Sequence, residues 1–323
     1  MQRIHVGVLR GGPSSEYDVS LKSGAAVLHN LDREKYEPLD IFISKEGAWH
    51  AHGVPLPPER ILRAVDVVFN VIHGEYGEDG RLQRILDAAG VPYTGSDALS
   101  SALVFNKHLT REQVRAFGVR VAHGTVVDRE EDLDQLACRL FRSFPHPAII
   151  KPVIGGSSVG VTRAGTFDEL RAGLERAFTI SPKALIEEYI RGREATVGVV
   201  DRMRGDEAYT LFPVEIIPPQ TCSFFDYDAK YSGETIERCP GNFSDQEKKE
   251  LAAIARSVHL NLGLRHYSRS DFIVSSRGIY FLEVNSAAAC GLTEQSLLPK
   301  AVQAAGLSFP QFLDHVLMLA LAR

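Results

Sequence analysis

The stretch that decides the fold is Ser268–Ser286, SRSDFIVSSRGIYFLEVNS, in which two β-prone runs flank Ser276-Arg277-Gly278. A three-residue loop containing glycine is typical of a β-hairpin, because glycine adopts the left-handed backbone that such a loop requires. We therefore expect an antiparallel hairpin centred on Arg277. One of its faces is predicted to carry the alternating apolar side chains Phe272, Val274, Tyr280 and Leu282.

The other face of this hairpin is polar. With Arg277 at the centre, Asp271 lies opposite Glu283 and Arg269 lies opposite Asn285, and side chains two apart share a face. Two carboxylates and an amide oxygen suit Mg²⁺, which takes hard oxygen ligands and keeps positions for substrate phosphates. A surface ladder of opposite charges is the alternative, but two facing acids repel each other without a cation. The pattern therefore indicates a metal site.

The composition of the 323 residues is that of an ordinary globular protein. It is 44% hydrophobic and 24% charged, which excludes a disordered or collagen-like chain, and the length predicts two or three domains. The net charge of −5 argues against non-specific nucleic-acid binding but leaves a local basic pocket open. The four cysteines form no C-x-x-C pair, so we expect reduced thiols.

Apolar runs are short at both termini. The run in MQRIHVGVLRGG is too short for a signal peptide. The stretch His315–Ala322 is far below the roughly 20 residues that span a bilayer. We therefore expect a soluble, cytoplasmic protein with no membrane partner.

The first hundred residues alternate between strand and helix. This βαβ pattern predicts an α/β domain with an open, mostly parallel sheet, whose ligands lie beyond the carboxyl ends of the strands. Gly11-Gly12 and His73-Gly74 fall at such ends, and a Pro/Gly-rich loop is expected at Gly53–Pro58. The predicted elements are strands Ile4–Leu9, Pro38–Ser44 and Val65–Ile72, and helices Val19–Leu31 and Arg81–Ala89.

The remaining chain predicts a mixed α+β arrangement. Capping boxes at Thr166-x-x-Glu169, Ser244-x-x-Glu247 and Ser308-x-x-Gln311 indicate helix starts. The other predicted elements are helices Ala98–Phe117 and Glu130–Phe144, and strands Ala148–Lys151, Val159–Arg163, Ala184–Glu188, Ala195–Val200 and Ala208–Ile217. We place domain boundaries near residues 96 and 185, which gives domains of residues 1–96, 97–185 and 186–323.

A glycine- and serine-rich loop follows the predicted strand that ends at Lys151. The segment KPVIGGSSVG, residues 151–160, offers backbone N–H groups and hydroxyls to anionic oxygens, although it is no Walker A loop. Gly156–Gly160 also matches G-x-S-x-G, the nucleophile elbow of serine hydrolases, with Ser158 as nucleophile. That elbow requires a strand followed by a helix, whereas a strand is predicted here. A glycine hairpin without a ligand is the third interpretation.

Two further segments have both a structural and a functional interpretation. Glu16, between the first strand and the first helix, is either a residue favoured by the helix dipole or a partner for a substrate ammonium group. His73, in HGEYGEDG (73–80), is either a packed side chain or part of a site. The residues themselves leave both alternatives open.

Taken together, these segments resemble the D-alanine–D-alanine ligase family of the ATP-grasp superfamily, in its order and nearly its spacing. The matching segments are GGPSSEYDVSLKSG (11–24), HGEYGEDG (73–80), Lys107, KPVIGGSSVG (151–160), IEEYIRGRE (186–194), FFDYDAKY (224–231), SRSDF (268–272), LEVN (282–285) and GLTEQSLLPK (291–300). The resemblance implies an ATP-grasp fold with an N-terminal substrate-binding domain, D-alanine and ATP as substrates, and a homodimer.

The resemblance also implies roles by matched position. Nucleotide binding would fall to Lys107, Lys151 and Lys230 at the phosphates, Glu187 and Ile190 at adenine, Glu194 at the ribose, and Phe224 as a further cofactor-binding residue. Two Mg²⁺, replaceable by Mn²⁺, would be held by Asp271, Glu283 and Asn285. Glu16 would take the first substrate's ammonium, linked to Ser157 and Tyr231, while Arg269 and the N–H of Gly291 would stabilise the oxyanion. His73, Ser296 and Leu297 would contact substrate, and Pro218–Tyr231 would form a lid.

The sequence departs from the family pattern beside the second substrate's pocket. The family has Asn-x-x-Pro-Gly-Met-Thr, whereas the segment Asn285–Thr293 has two extra residues, no proline, and leucine for methionine. His266 replaces a usual glycine. Tyr231 favours an amine acceptor, whereas Lys22 is also found in relatives that form depsipeptides. The prediction is D-alanyl-D-alanine synthesis for peptidoglycan, with D-serine, D-lactate or another acceptor as the alternative.

Overall fold

The N-terminal part of the chain forms a sheet covered on both faces. The computed structural model describes residues 3–129, 132–219 and 235–322. The first sheet has the order β4-β3-β2-β1-β5, and β1 runs parallel to β2 and β5 as predicted. Its strands are β1 (Ile4–Gly11), β2 (Tyr36–Ile43), β3 (Trp49–Ala51), β4 (Val54–Pro55) and β5 (Val67–Asn70). Helices α1 (Tyr17–Asn30) and α2 (Pro58–Leu62) lie between these strands in the sequence, and α3 (Arg81–Ala89) follows β5.

The prediction of a loop at Gly53–Pro58 is wrong for the first half of this segment. Strands β3 and β4 form a short antiparallel hairpin that extends the first sheet. His52 and Gly53 make the turn with φ of 53° and 76°. The sequence shows proline and glycine here, which are equally typical of a loop and of a tight hairpin.

The middle sheet is antiparallel and has the order β6-β9-β7-β8. It consists of β6 (Gly124–Asp128), β7 (Ala148–Pro152), β8 (Thr162–Ala164) and β9 (Lys183–Glu188). Helices α6 (Leu133–Ser143) and α7 (Phe167–Ile180) pack on one face through a buried cluster that includes Leu136, Leu140, Leu170 and Leu174. The opposite face is left to line a pocket.

The third sheet has the order β13-β12-β10-β14-β15, with β11 beside β10. Its strands are β10 (Arg193–Asp201), β11 (Ala208–Thr210), β12 (Val214–Ile217), β13 (Ile236–Arg238), β14 (Tyr267–Ser275) and β15 (Gly278–Ser286). Three helices share a buried core with this sheet, namely α4 (Ala98–Phe105), α5 (Lys107–Ala116) and α8 (Asp245–Asn261). The last helices, α9 (Leu297–Ala304) and α10 (Phe309–Leu321), pack between the first and third sheets.

Three predicted elements are interrupted. The predicted helix Ala98–Phe117 breaks at Asn106, whose ψ of 102° is not helical and whose side chain accepts from the N–H of Leu109 at 3.1 Å. The predicted strand Ala208–Ile217 divides into β11 and β12. The predicted strand Val159–Arg163 begins only at Thr162, because positive φ angles at residues 157, 158 and 160 curl the chain before it.

All the capping boxes predicted from the sequence are confirmed. The side chains of Thr166, Ser244 and Ser308 each accept from the backbone N–H three residues later, and the glutamate or glutamine at that position bonds back. Within the described ranges, no single helix has the length and apolar character to cross a membrane. Helices α9 and α10 meet the criterion only jointly, across a bend of 101°.

Candidate active site

Residues predicted from separate motifs meet in one pocket between the three sheets. Its walls come from the β1–α1 loop, the start of α5, the β7–β8 loop and the β14–β15 hairpin. Of the predicted site residues, this pocket brings together Glu16, Lys107, Ser157, Arg269, Glu283 and Asn285. Arg269 and Glu283 also line a second, adjoining pocket.

The hairpin pairs its polar residues as predicted, although its turn differs from the predicted one. Asp271 lies opposite Glu283 and Arg269 opposite Asn285. The predicted three-residue loop is wrong, because Ser275 pairs with Gly278 and leaves a two-residue turn. An irregularity after Asp271 compensates for that one-residue shift.

This bulge changes which apolar side chains lie on the same face of the hairpin as Asp271 and Glu283. Phe272 pairs with Phe281, so Leu282 is the extra residue of the bulge. Leu282 packs with Tyr280 and Ile273 in a small cluster that lies outside the main core. Phe272 instead packs with Phe281 in the core beneath the sheet. The prediction that Phe272, Val274, Tyr280 and Leu282 share one face is therefore wrong.

Asp271 is held by a network of donors. Its carboxylate accepts from Nε and Nη2 of Arg269, each at 3.0 Å, from Nδ2 of Asn285 at 3.0 Å, and from the hydroxyl of Thr196. Because the amide nitrogen of Asn285 faces Asp271, its amide oxygen remains as a ligand. Glu283 supplies the second carboxylate.

The donor set fits Mg²⁺ completed by phosphate oxygens and water. The ligands on the hairpin are two carboxylates and one amide oxygen, which are the hard ligands this ion prefers. In the described part of the chain, no group of three or more His, Cys, Asp or Glu side chains is arranged for a metal. With this donor set on the hairpin, Mg²⁺ would keep coordination positions for substrate phosphates.

Arg269 remains charged although it is buried. Burial alone would lower the pKa of its guanidinium, but the Asp271 carboxylate opposes this and the pKa is raised. Nε and Nη2 of Arg269 donate the hydrogen bonds to Asp271. A buried cation of this kind stabilises negative charge that develops beside it.

The glycine-rich loop closes directly on Glu16. The hydroxyl of Ser157 donates to Oε1 of Glu16, and Ser157 has a φ of 49°. A side chain at residue 156 would place Cβ 2.3 Å from Oε2 of Glu16, so any residue other than glycine would displace this carboxylate. Glu16 is also the N-cap residue of α1, although its side chain makes no capping bond. The arrangement favours the functional interpretation of Glu16 over the structural one.

His73 is packed beneath the pocket. It is buried, and its Nε2 lies 3.1 Å from the hydroxyl of Ser23. The same hydroxyl is 3.4 Å from the backbone N–H of Leu292, which follows Gly291. His73 is therefore connected to the loop predicted to stabilise the oxyanion. A Cβ at Gly291 would lie 2.7 Å from the hydroxyl of Ser296, so these two predicted residues are neighbours.

Lys107 and Glu78 are two titratable residues that line this pocket. The ammonium of Lys107 donates to the carbonyl of Gly155, and burial lowers its pKa. Glu78 was not predicted as a site residue, although it lies in the segment HGEYGEDG. Burial and the charge of Glu16 raise its pKa to about 8, while its Oε1 accepts from the N–H of Gly74 at 2.6 Å.

The adjoining pocket has apolar walls and charged residues at one end. The predicted nucleotide residues that line it are Lys151, Glu187, Ile190 and Glu194, together with Leu297, which was predicted for substrate. Lys151 pairs with Glu187 at 2.5 Å. Arg111 pairs with the same carboxylate and was missed, because an arginine on an amphipathic helix carries no local signal. Ile190 and Ile273 supply an apolar surface.

Several predictions lie outside the described residues. They concern Phe224, Lys230, Tyr231 and the lid segment Pro218–Tyr231, of which only the first two residues are described. They stay predictions.

The serine hydrolase interpretation is wrong. The segment Gly156–Gly160 leads into the strand β8 rather than into a helix, so Ser158 does not sit on a strand-to-helix elbow. The hydroxyl of the neighbouring Ser157 instead contacts a carboxylate from the first sheet.

Comparisons with known proteins cover the whole chain. A family model described as D-ala D-ala ligase C-terminus matches residues 114–318, and one described as D-ala D-ala ligase N-terminus matches residues 5–59 and 53–96. The D-alanine–D-alanine ligase of Syntrophobacter fumaroxidans is 38% identical, with 99% of this chain and 98% of the relative covered. That of Geobacter sulfurreducens is 37% identical, with 99% and 95% covered.

Solved structures share the architecture. The VanG D-Ala:D-Ser ligase from Enterococcus faecalis superposes with a TM-score of 0.85 at 31% identity, covering 99% of this chain and 100% of that one. The D-alanine–D-alanine ligase from Coxiella burnetii gives a TM-score of 0.84 at 25% identity, covering 100% and 95%. The predicted ATP-grasp fold is confirmed.

Proposed function

The chain belongs to the D-alanine–D-alanine ligase family, and we propose that it joins two D-alanines to D-alanyl-D-alanine for peptidoglycan synthesis. Members of this family are ATP-dependent ligases that act on small molecules and need metal ions. The observation that carries the proposal is the convergence of Glu16, Ser157, Arg269, Asp271 and Glu283 around one site.

The reaction must activate a carboxylate, which is a poor electrophile. The γ-phosphoryl group of ATP passes to a carboxylate oxygen of the first D-alanine, giving ADP and an acyl phosphate. The neutral amine of the second D-alanine attacks the carbonyl carbon. The tetrahedral intermediate then expels phosphate. The attacking nitrogen, which became positively charged on attack, loses one of its two protons, and this completes the peptide bond.

The nucleotide would lie in the adjoining pocket. Lys107, Lys151 and Lys230 bind its phosphates in this proposal. The base contacts Glu187 and Ile190, the ribose contacts Glu194, and Phe224 is a further nucleotide-binding residue. The burial of Lys151 supports this placement, because a buried cation interacts strongly with phosphate oxygens.

Metal ions would bind on the polar face of the hairpin. Asp271, Glu283 and Asn285 hold two Mg²⁺ in the proposal, and Mn²⁺ substitutes for them. When bound, the ions offset the negative charge of the transferring phosphoryl group. Asp271 on β14 and Glu283 on β15 lie near Arg269, so ions held by these carboxylates would also be near Arg269.

The amino acids would lie between Glu16 and the hairpin. Glu16 binds the first ammonium group and is oriented by Ser157, with Tyr231 completing the link. Arg269 and the N–H of Gly291 stabilise the tetrahedral oxyanion, and removal of one such donor typically costs about 10²–10³ in rate. His73, Ser296 and Leu297 line the substrate positions.

A different acceptor is the second candidate. The segment after Asn285 forms a short 3₁₀ helix, Ala287–Ala289, with the buried Cys290 beside it. This insertion borders the acceptor position in the family pattern. The superposed VanG enzyme is by its name a D-Ala:D-Ser ligase, so D-serine and D-lactate are the acceptors to compare.

Three wider features belong to the same proposal. We place the domains at residues 1–96, 97–185 and 186–323. We propose a cytoplasmic homodimer. Its partners are small molecules, and neither nucleic acid nor membrane is among them.

Phosphate release from ATP and Mg²⁺ tests the proposal. D-alanine, D-serine, D-lactate and L-alanine are supplied singly and in pairs, and D-alanine alone is expected to support turnover. Failure of every D-alanine mixture at every pH contradicts it. Glu283→Gln is expected to abolish turnover, whereas the exposed Glu250→Gln on α8 is the matched control. Activity retained by Glu283→Gln overturns the metal assignment.

A further inference from the structure

A buried group of three charges lies at the wall of the proposed nucleotide pocket, and two of its members, Lys151 and Glu187, line that pocket. Arg111 on α5, Lys151 on β7 and Glu187 on β9 converge with side-chain exposures of 7%, 9% and 9%. The guanidinium Nη1 of Arg111 pairs with Oε1 of Glu187, and Nζ of Lys151 lies 2.5 Å from Oε2. Each carboxylate oxygen therefore has its own cation.

Arg111 is fixed more firmly than Lys151. Its Nη2 donates to the backbone carbonyl of Ala122 while Nη1 holds Glu187. Gly124 leaves room for this contact, since a Cβ there would lie 2.9 Å from Nη1. Lys151 has a flexible stem and a single charged group, so it exchanges partners more readily than a guanidinium that is held at two points.

We propose that Arg111 is a positioning residue that orients Glu187 for recognition of adenine. The inference rests on the proposed nucleotide site. When phosphate attracts Lys151, Oε2 of Glu187 becomes available, while Arg111 keeps Oε1 in place. The freed oxygen accepts a hydrogen bond from the exocyclic amine of adenine and repels the carbonyl oxygen that guanine carries at the same position.

The charge of Arg111 matters as much as its position. A buried carboxylate without a cation beside it is costly, because it has been removed from water. Arg111 stays beside Glu187 after Lys151 has turned to the phosphates, so it offsets this cost.

Equilibrium binding of ADP and GDP in the presence of Mg²⁺ tests this role without turnover. In the full-length chain, Arg111→Met is expected to lower the preference for ADP over GDP at least tenfold. The matched control is Arg115→Met, one turn along the same helix, whose side chain is 65% exposed. It is expected to stay within twofold of the wild type. A preference within threefold of the wild type in Arg111→Met overturns the proposal.

A second background separates positioning from general damage. If Arg111 acts through Glu187, Arg111→Met changes the preference less than twofold when Glu187→Gln is already present. An equal loss in both backgrounds overturns the positioning role. If Arg111→Met lacks a cooperative thermal transition, Arg111→Lys is measured instead. Its preference for ADP over GDP is expected to fall threefold, and an unchanged preference contradicts the proposal.

The result is distinguishable from failure of the proposed ligase reaction. Wild type that prefers ADP but releases no phosphate with D-alanine contradicts the acceptor chemistry and leaves the Arg111 assignment intact. Wild type that binds ADP and GDP equally contradicts the Arg111 assignment, whatever its turnover.

Discussion

His266 links Gly95, in the segment that follows the first sheet and α3, to the start of the strand that carries Arg269. It is buried, with 5% of its surface exposed, and has a φ of 67°. Its ring Nδ1 accepts from the backbone N–H of Gly95 at 2.9 Å, while its backbone N–H donates to Oδ2 of Asp201 at 2.6 Å. An imidazole that accepts at Nδ1 must be neutral, so protonation breaks this link.

Burial lowers the pKa of His266 from 6.5 to about 4. The Asp201 carboxylate opposes that shift, and His259, His315 and Arg202 add to it. Because the folded pKa lies below the unfolded one, the unfolded chain binds more protons between pH 6.5 and 4. The stabilisation is therefore present above pH 6.5 and is lost as the pH falls. Between pH 7 and 4.5 the loss is about 2 kcal/mol.

Urea unfolding at pH 7 and pH 4.5 measures this loss. The comparison is His266→Asn, because asparagine tolerates positive φ and its amide oxygen can accept from Gly95 without titrating. The wild type is expected to lose about 2 kcal/mol more than His266→Asn over this interval. The control is His52→Asn, since His52 also has positive φ but is exposed.

The reasoning fails if wild type and His266→Asn lose equal stability, within about 0.5 kcal/mol, over this interval. It also fails if His52→Asn reproduces the effect of His266→Asn. In that event, loss of a histidine from any position would explain the result.

Other substitutions test the loop, a helix start and the core. Gly156→Ala places a methyl group 2.3 Å from Oε2 of Glu16 and is expected to lower kcat/KM for D-alanine about 100-fold, with ADP affinity changed less than threefold. Ser244→Ala removes one bond of a capping box and is expected to cost about 1 kcal/mol in urea unfolding. Phe312→Ala empties a fully buried site beside Tyr267 and is expected to cost about 3–5 kcal/mol in the same measurement.

Features set by neighbouring residues were predictable from the sequence. The capping boxes are confirmed because each depends on two side chains three residues apart and on the backbone between them. The first parallel strands are confirmed because β-prone runs alternate with helical spacing. The break at Asn106 was missed although asparagine is a good N-cap, since apolar spacing continues through it.

The pairing of Asp271 with Glu283 in the hairpin was predicted correctly although the length of the loop was predicted wrongly. A two-residue turn alone would have moved Glu283 to the opposite face of the sheet from Asp271. The extra residue Leu282 restores the pairing. The segment around Val121 contributes to this geometry, because the N–H of Phe281 donates to the carbonyl of Arg120 at 2.9 Å. A contact with a segment so distant in sequence leaves no pattern in the hairpin itself.

Buried charges were the hardest features to predict, for a related physical reason. Desolvation makes an isolated buried charge costly, so such a residue depends on partners supplied by the tertiary structure. The partners of Arg111 are Glu187 and the carbonyl of Ala122, and His266 depends on Gly95. These partners come from other elements of the fold, so each arginine or histidine looks like an ordinary surface residue in the sequence. The net charge of −5 therefore says little about the pocket, where buried cations such as Lys151 and Arg269 lie beside carboxylates.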